Sequence, residues 1–117
     1  MGARVVKLAG SAALCAALAS SPLKATEPVQ LIIKDHRFIP ELVTVPSGER
    51  LRIEGINEDP TPAEFESSEL HVEKIVTARS RVSVFAGPLK PGTYGFFDDY
   101  HPDTKGSVIA IAGEAKQ

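Results

Sequence analysis

The sequence predicts an all-β protein, folded as an antiparallel β-sandwich of about seven strands. Short apolar segments recur at intervals of roughly ten residues, and in several of them apolar and polar residues alternate. Gly, Pro, Asn and Asp cluster between these segments, as they do in turns. Beyond residue 25 no segment repeats its apolar residues with the 3.6-residue period of a helix. The predicted strands are residues 29–34, 41–45, 50–54, 70–76, 81–85, 93–97 and 107–112.

Residues 1–25 have the composition of a secretory signal peptide. Two basic residues precede an uncharged apolar run at residues 8–19, and small residues follow it. The run has 12 residues, whereas a transmembrane helix needs about 20, so we expect no membrane span in the mature form. Cleavage after Ala19 or after Ala25 fits the small-residue pattern, and we favour Ala25 because the first strand pattern begins just beyond it. The sequence therefore predicts an exported protein.

Residues 26–117 then form one small domain whose charge and sulfur content are informative. They carry 15 acidic and 10 basic side chains, a net charge of −5. Nucleic acids and anionic membranes bind basic surfaces, so the sequence predicts neither as a partner. The single cysteine, Cys15, and the single methionine, Met1, both precede this domain. An internal disulfide is therefore excluded, and a packed apolar core has to stabilise the domain.

The segment 92–106 contains the densest group of candidate metal ligands. It begins as an aromatic strand and then places three carboxylates and one imidazole within six residues, at Asp98, Asp99, His101 and Asp103. Such a group between two strands is typical of a metal site at the end of a sandwich. Asp and Pro are also ordinary turn residues, so a surface loop without a ligand fits the same residues. The segment alone leaves both interpretations open.

Several longer sequence motifs resemble those of the cupredoxin superfamily. They are Gly92-Thr93-Tyr94 before the acidic segment, KDHRF-x-P at 34–40, N-x-D-x-TP-x-EFES at 57–67 and FF-x-x-YHPDT at 96–104. The last three are similar to the cupredoxin-like domains of bacterial periplasmic iron-uptake systems, the EfeO type. The resemblance covers nearly the whole of residues 26–117. It implies a Greek-key sandwich and a metal-binding accessory that passes its metal towards an inner-membrane iron permease.

The same resemblance shows a departure from blue-copper proteins. A blue-copper site uses one cysteine, two histidines and a weak axial methionine. The resemblance places the cysteine position on Asp98, the first histidine on Ala63 or Glu64, and the methionine near Thr104. Only His101 keeps a blue-copper ligand type. We therefore expect no blue-copper electron transfer from this domain.

The remaining donors predict a metal site of carboxylates and one imidazole. Glu64 and Glu66 lie two residues apart, so in a strand they share one face. If the cupredoxin arrangement holds, they lie beside Asp98 and His101. The predicted metal ligands are Glu64, Glu66, Asp98 and His101, with Asp99 and Asp103 as alternates. Such donors suit iron, and divalent copper also binds them, so either metal is the predicted ligand.

The sequence contains two other histidines and leaves three other functions open. His36 is interpreted as fixing the first bend, and His71 as a candidate member of a second site.

A metal-free module that docks a periplasmic partner protein is the alternative to metal binding, because fold alone does not fix function. A hydrolase with paired carboxylates is less favoured, since 92 residues leave little room for a deep cleft. An enzymatic role, such as ferrous iron oxidation, stays open.

Overall fold

The computed structural model describes residues 27–112. The predicted signal peptide, 1–25, lies outside this range. Every regular element among the described residues is a β-strand. No helix in this range is long and apolar enough to cross a membrane.

The described residues form two sheets that pack as a β-sandwich, which confirms the predicted fold class. The strands are β1 (Val29–Lys34), β2 (Arg37–Ile39), β3 (Leu42–Pro46), β4 (Leu51–Asn57), β5 (Ala63–Ser67), β6 (Val72–Val76), β7 (Arg81–Ala86), β8 (Gly92–Asp98) and β9 (His101–Ile111). Strands β2, β1, β4 and β7 form the first sheet in that order, and β3, β9, β8, β5 and β6 form the second.

The structure differs from the predicted strands in three respects. There are nine strands among the described residues, because Ala63–Ser67 and the predicted bend residues Arg37–Ile39 both pair. Two pairs, β1 with β4 and β3 with β9, are parallel, while the others are antiparallel. Strand β9 begins at His101, so most of the predicted acidic loop is extended chain. Pairing with β8 through His101 and Lys105 holds this stretch extended despite its turn-forming residue types.

The core follows from the period-two alternation of the strands. In β5 the side chains of Ala63, Phe65 and Ser67 are buried, whereas the two glutamates between them are partly exposed. Phe65 packs against Phe38 and Phe96, with ring centroids 6.0 and 5.1 Å away. These three rings join strands of both sheets. They lie directly beneath the end of the sandwich where β5 begins and β8 ends.

The buried side chain of Asn57 connects the loops at this end of the sandwich. Its amide Nδ2 lies 2.9 Å from Thr61 O and 3.1 Å from Val76 O. Its Oδ1 accepts a hydrogen bond from the backbone N–H of Asp59 at 2.9 Å. Buried polar groups are costly unless they are paired, so these bonds fix the loop geometry strongly.

Gly106 is a position that the core does not allow to carry a side chain. A Cβ there would lie 2.5 Å from ring carbons of Phe96 and 2.8 Å from the backbone oxygen of Glu41. We expect Gly106→Ala to lower the free energy of unfolding by about 1–3 kcal/mol, because the ring has to leave its packed position. Urea denaturation followed by circular dichroism measures this change.

Gly55 provides the matched control for that substitution. A Cβ at Gly55 would meet its nearest atom, Val82 Cγ2, at an ordinary 3.8 Å. Gly55→Ala should change the free energy of unfolding by less than about 1 kcal/mol, with a gain expected from the reduced entropy of the unfolded chain. Equal losses for both alanines would contradict the steric explanation.

Candidate metal centre

The carboxylate of Asp98 organises the turn between β8 and β9. Its Oδ1 accepts hydrogen bonds from the backbone N–H of Glu64, at 2.9 Å, and of Tyr100, at 3.0 Å. Its Oδ2 lies 3.1 Å from His101 Nδ1. The residue is 1% exposed. Asp98 therefore ties together the start of β5, the turn and the first residue of β9.

A second buried carboxylate, Asp59, holds the turn between β1 and β2. Asp35 and His36 both have positive φ, at 53° and 57°. This two-residue connection of a hairpin usually takes Asn and Gly, so non-glycine residues are strained there. Asp59 accepts hydrogen bonds from both backbone N–H groups, at 2.6 and 2.9 Å, and so compensates the strain. Thr104 donates its hydroxyl to His36 O at 2.6 Å and fixes the turn from the other sheet.

These two turns bring His36 and His101 into contact. Their ring centroids lie 4.0 Å apart, with an interplanar angle of 33°. His36 Nδ1 lies 3.6 Å from Asp59 Oδ2, so each imidazole is next to a buried carboxylate. Both side chains are partly exposed, at 50% and 39%. The arrangement forms an imidazole pair at the surface, supported from below by two aspartates.

Three other carboxylates converge on the outer face of the five-stranded sheet. Each of Glu64, Glu66 and Asp99 offers an oxygen, and these atoms all lie within 4.8 Å of one another. Glu64 and Glu66 point outward because β5 alternates, and Asp99 joins them because its N–H bonds Glu64 O at 2.9 Å. We call these three residues the acidic cluster. Glu73 adjoins it, since it stands opposite Glu66 in the pairing of β5 with β6.

The crowding of these carboxylates changes their titration. Partial desolvation, and then the carboxylates of Glu73, Asp99 and Glu66, raise the pKa of Glu64 above its usual value. Desolvation, with Asp99 and Glu73, also raises the pKa of Glu66. Asp59 behaves in the opposite way. Burial opposes its ionisation, but the N–H groups of His36 and Asp35 outweigh this and lower its pKa.

The structure places the four predicted ligands in two neighbouring groups. Glu64 and Glu66 lie in the acidic cluster, together with the alternate Asp99. His101 belongs to the imidazole pair and Asp98 to its support. Asp98 already accepts two backbone hydrogen bonds and lies 3.1 Å from His101 Nδ1. The other alternate, Asp103, is exposed in β9. Whether a metal binds all four residues stays a prediction.

Sequence reasoning ranked Asp99 below Asp98 and did not connect His36 with His101. The alternation of β8 distinguishes the two aspartates. Asp98 lies two residues after the buried Phe96 and therefore points inward. Asp99 follows the end of that strand and lies in the exposed turn. His36 lies 65 positions before His101, and no local pattern connects the two. His71 lines a surface cleft with Glu66 and Glu73, next to the acidic cluster.

The two groups differ in the metal chemistry they offer. The acidic cluster supplies only carboxylate oxygens, which suit hard cations. The imidazole pair supplies ring nitrogens, which suit borderline transition metals such as divalent copper or zinc. In the acidic cluster a bound cation would also relieve the repulsion between like charges on neighbouring strands.

Replacing Asp98 tests its role as the structural tie. Asp98→Ala leaves two partly buried N–H groups without their acceptor and opens a gap where a buried side chain stood, and we expect a loss of about 2–3 kcal/mol in the free energy of unfolding. Asp103→Ala, which removes an exposed carboxylate from the same hairpin, should cost less than about 0.5 kcal/mol. Similar losses in the two variants, measured by urea denaturation, would contradict this role.

The raised pKa values of Glu64 and Glu66 set a pH dependence for the metal-free protein. The folded state holds these protons more tightly than the unfolded state, so stability should rise as pH falls from 7 towards 4.5. Below 3.8 the lowered pKa of Asp59 has the opposite effect, and stability is lost as that group protonates. Thermal unfolding of wild type and Glu64→Gln across this range measures both effects. The rise towards pH 4.5 should be smaller in Glu64→Gln, and an equal rise in the two proteins would contradict the assignment.

Comparison with known proteins identifies the family. The family model of the cupredoxin-like domain matches residues 7–110. The uncharacterized protein RP394 of Rickettsia prowazekii (strain Madrid E) is 43% identical over 83 residues, which cover 71% of this chain and 66% of that protein. The chain thus spans just under two thirds of that relative's length.

Solved structures show the same fold at low sequence identity. Amicyanin from Paracoccus versutus has a TM-score of 0.58 and 17% identity, covering 74% of this chain and 84% of its own. The purple cupredoxin from Nitrosopumilus maritimus has a TM-score of 0.56 and 18% identity, covering 70% of this chain and 98% of its own. With the family model matching most of the sequence, the chain belongs to the cupredoxin-like domain family.

Proposed function

We propose that this protein is an exported metal-binding protein of the periplasm, an accessory of iron uptake that binds iron or copper through carboxylates and histidine. The observation that carries the proposal is the acidic cluster, in which Glu64, Glu66 and Asp99 offer oxygens within 4.8 Å of one another. Like charges so close together repel unless they share protons or a cation. The fold supports metal binding too, since amicyanin, one of the structural neighbours, is known in a Cu(I) form.

The donor chemistry supports iron or divalent copper more than a blue-copper centre. Residues 27–112 contain no cysteine and no methionine, so this part of the chain offers neither the thiolate nor the thioether of such a centre. At the position that the resemblance gives to the cysteine stands Asp98. Its carboxylate accepts two backbone hydrogen bonds and lies against His101 Nδ1. Carboxylates and imidazole together form a hard-to-borderline donor set.

In this proposal the acidic cluster is the iron-binding site and His101 marks a second, nitrogen-containing site nearby. Asp98 and Asp99 are adjacent in sequence, so one turn connects the two groups. Iron is cargo, received from solution and passed to a membrane permease. The partly exposed oxygens of Glu64 and Glu66 suit such exchange, because a receiving protein can contact them without opening the core.

Metal titration of the mature protein, residues 26–117, tests the proposal. Ferrous, ferric and cupric ions are added separately in isothermal titration calorimetry, with a weak competing chelator to keep each ion soluble. Glu64→Gln/Glu66→Gln should weaken iron binding at least about tenfold, because two of three close carboxylates lose their charge. Glu41→Gln removes an exposed carboxylate elsewhere and should leave the affinity unchanged.

A His101→Ala variant separates the two groups. If His101 belongs to a second site, this variant weakens cupric binding by about tenfold or more and leaves iron binding within a factor of about two. The metal-binding proposal fails if no ion binds more tightly than the competing chelator. It also fails if affinity is the same in wild type, in Glu64→Gln/Glu66→Gln and in a Glu64→Ala/His101→Ala double variant.

A metal-free docking module is the second candidate function. Ile75 is 49% exposed and stands opposite Glu64 on the outer face of the sheet, and Tyr100 is 45% exposed in the turn beside His101. Exposed apolar side chains beside a polar group are common in protein interfaces. A periplasmic partner whose affinity is unchanged by chelators, and is lost in Ile75→Ser, would favour this function over metal binding.

A further inference from the structure

A second charged feature lies at the same end of the sandwich, on the side of the four-stranded sheet. The end of β1, the end of β4 and the start of β7 surround an open cleft of about 800 Å³. Three cationic side chains, Lys34, Arg79 and Arg81, line it together with one carboxylate, Glu58. We call this cleft the basic cleft. None of the acidic cluster residues lines it.

The charge of the basic cleft is opposite to that of the domain. Residues 26–117 carry a net charge of −5, yet three of their ten basic side chains meet here. Arg81 is partly neutralised by Glu54, whose Oε2 lies 3.2 Å from its Nη1. The Lys34 ammonium forms no ion pair or hydrogen bond with the other residues between 27 and 112. Glu58 in the lining and Glu54 beside Arg81 offset two of the three positive charges, so the basic cleft keeps a small net positive charge that attracts anions.

Arg79 has most of its hydrogen-bonding capacity open to a ligand. Within the described part of the chain its guanidinium makes one long hydrogen bond, 3.5 Å from Nη1 to Glu58 O. A guanidinium carries five N–H donors in a planar fork that matches the oxygens of carboxylates and phosphates. Lys34 adds a point charge on a flexible stem. Together they provide the two usual elements of oxyanion recognition.

The backbone that carries Arg79 is fixed by bonds to the neighbouring loops. Arg79 has a φ of 54°, in the left-handed region that few non-glycine residues adopt. Its N–H donates to Asp59 O at 3.2 Å, and the next residue, Ser80, accepts a bond from the N–H of Asn57 at 2.8 Å. The Ser80 hydroxyl donates to Thr77 O at 2.8 Å. These bonds fix the position from which the exposed side chain of Arg79 extends.

We propose that the basic cleft binds a small oxyanion with two or more negative charges, a phosphate or a polycarboxylate. The cleft is open to solvent, and its volume of about 800 Å³ leaves room for a small anion. The fork of Arg79 and the ammonium of Lys34 supply charge-assisted hydrogen bonds, and Arg81 adds long-range attraction. This site is separate from the acidic cluster and binds its anion without a metal ion.

Two-dimensional amide NMR of the metal-free mature protein tests the proposal at low ionic strength. Sodium phosphate and sodium citrate are titrated separately, with sodium chloride at matched ionic strength as the reference. We expect saturable shifts confined to the amides around residues 34, 57–59 and 79–81, with phosphate or citrate but not chloride. The tighter of the two oxyanions identifies the ligand class as phosphate or polycarboxylate.

Paired variants distinguish a site from general attraction to positive charge. Lys34→Gln/Arg79→Asn removes two cations from the basic cleft, and Asn is chosen because it tolerates the left-handed backbone. Arg52→Gln/Lys90→Gln removes two cations that do not line it, so both variants have the same net charge. The first should weaken oxyanion binding at least about tenfold and the second less than about twofold.

Three outcomes would overturn the proposal. The first is the absence of saturation below about 10 mM oxyanion, because binding that weak is expected of nonspecific surface charge. The second is that chloride reproduces the shifts, and the third is that the two paired variants weaken oxyanion binding equally. Lys34→Gln alone keeps the test valid if the Arg79 variant does not fold, because Lys34 ends β1 and its side chain has no partner among the described residues. Since the protein is metal-free throughout, failure here leaves the metal-binding proposal untouched.

Discussion

The hydrogen bonds of the buried Asp98 carboxylate are the interaction on which the end of the sandwich between β8 and β9 depends. It accepts backbone hydrogen bonds from Glu64 and Tyr100 and contacts the imidazole of His101. An unpaired carboxylate at this depth would be costly, and its neighbours satisfy it only when β5, the turn and β9 are all in place. Asp98 therefore acts as a structural tie, and the exposed carboxylates around it are free to face solvent.

Asp59 plays the corresponding part on the opposite sheet, and the two aspartates together explain the imidazole pair. Asp59 stabilises a left-handed turn that carries His36, while Asp98 fixes the start of the strand that carries His101. Thr104 connects the two halves through its bond to His36 O. The contact between the rings is thus a product of long-range packing between two sheets. Removing either aspartate should disturb both histidines.

The sequence predicted the sandwich well because alternation and turn residues are local signals. Strand β1 was predicted with its observed bounds, and β7 and β8 to within one residue at each end. The prediction missed β2, which pairs with β1, and the early start of β9, where His101 pairs with Asp98 of β8. In both places strand pairing within the sheet overrides the turn preferences of the residues. Glu64 and Glu66 were placed on one face by strand geometry. Their neighbour Asp99 depends on where β8 ends, which alternation alone does not determine.

Successive residues of a strand point alternately to the interior and to the surface of this fold, and β5 is an example. Ala63 points into the core, while Glu64, one residue on, points to solvent. Shifting a donor by a single position therefore exchanges an enclosed ligand for a solvated one, without any change in fold. Water and free chelators reach the oxygens at Glu64 directly. A cation bound there would be released by ligand substitution at the surface. The β-sandwich would not have to open for that exchange.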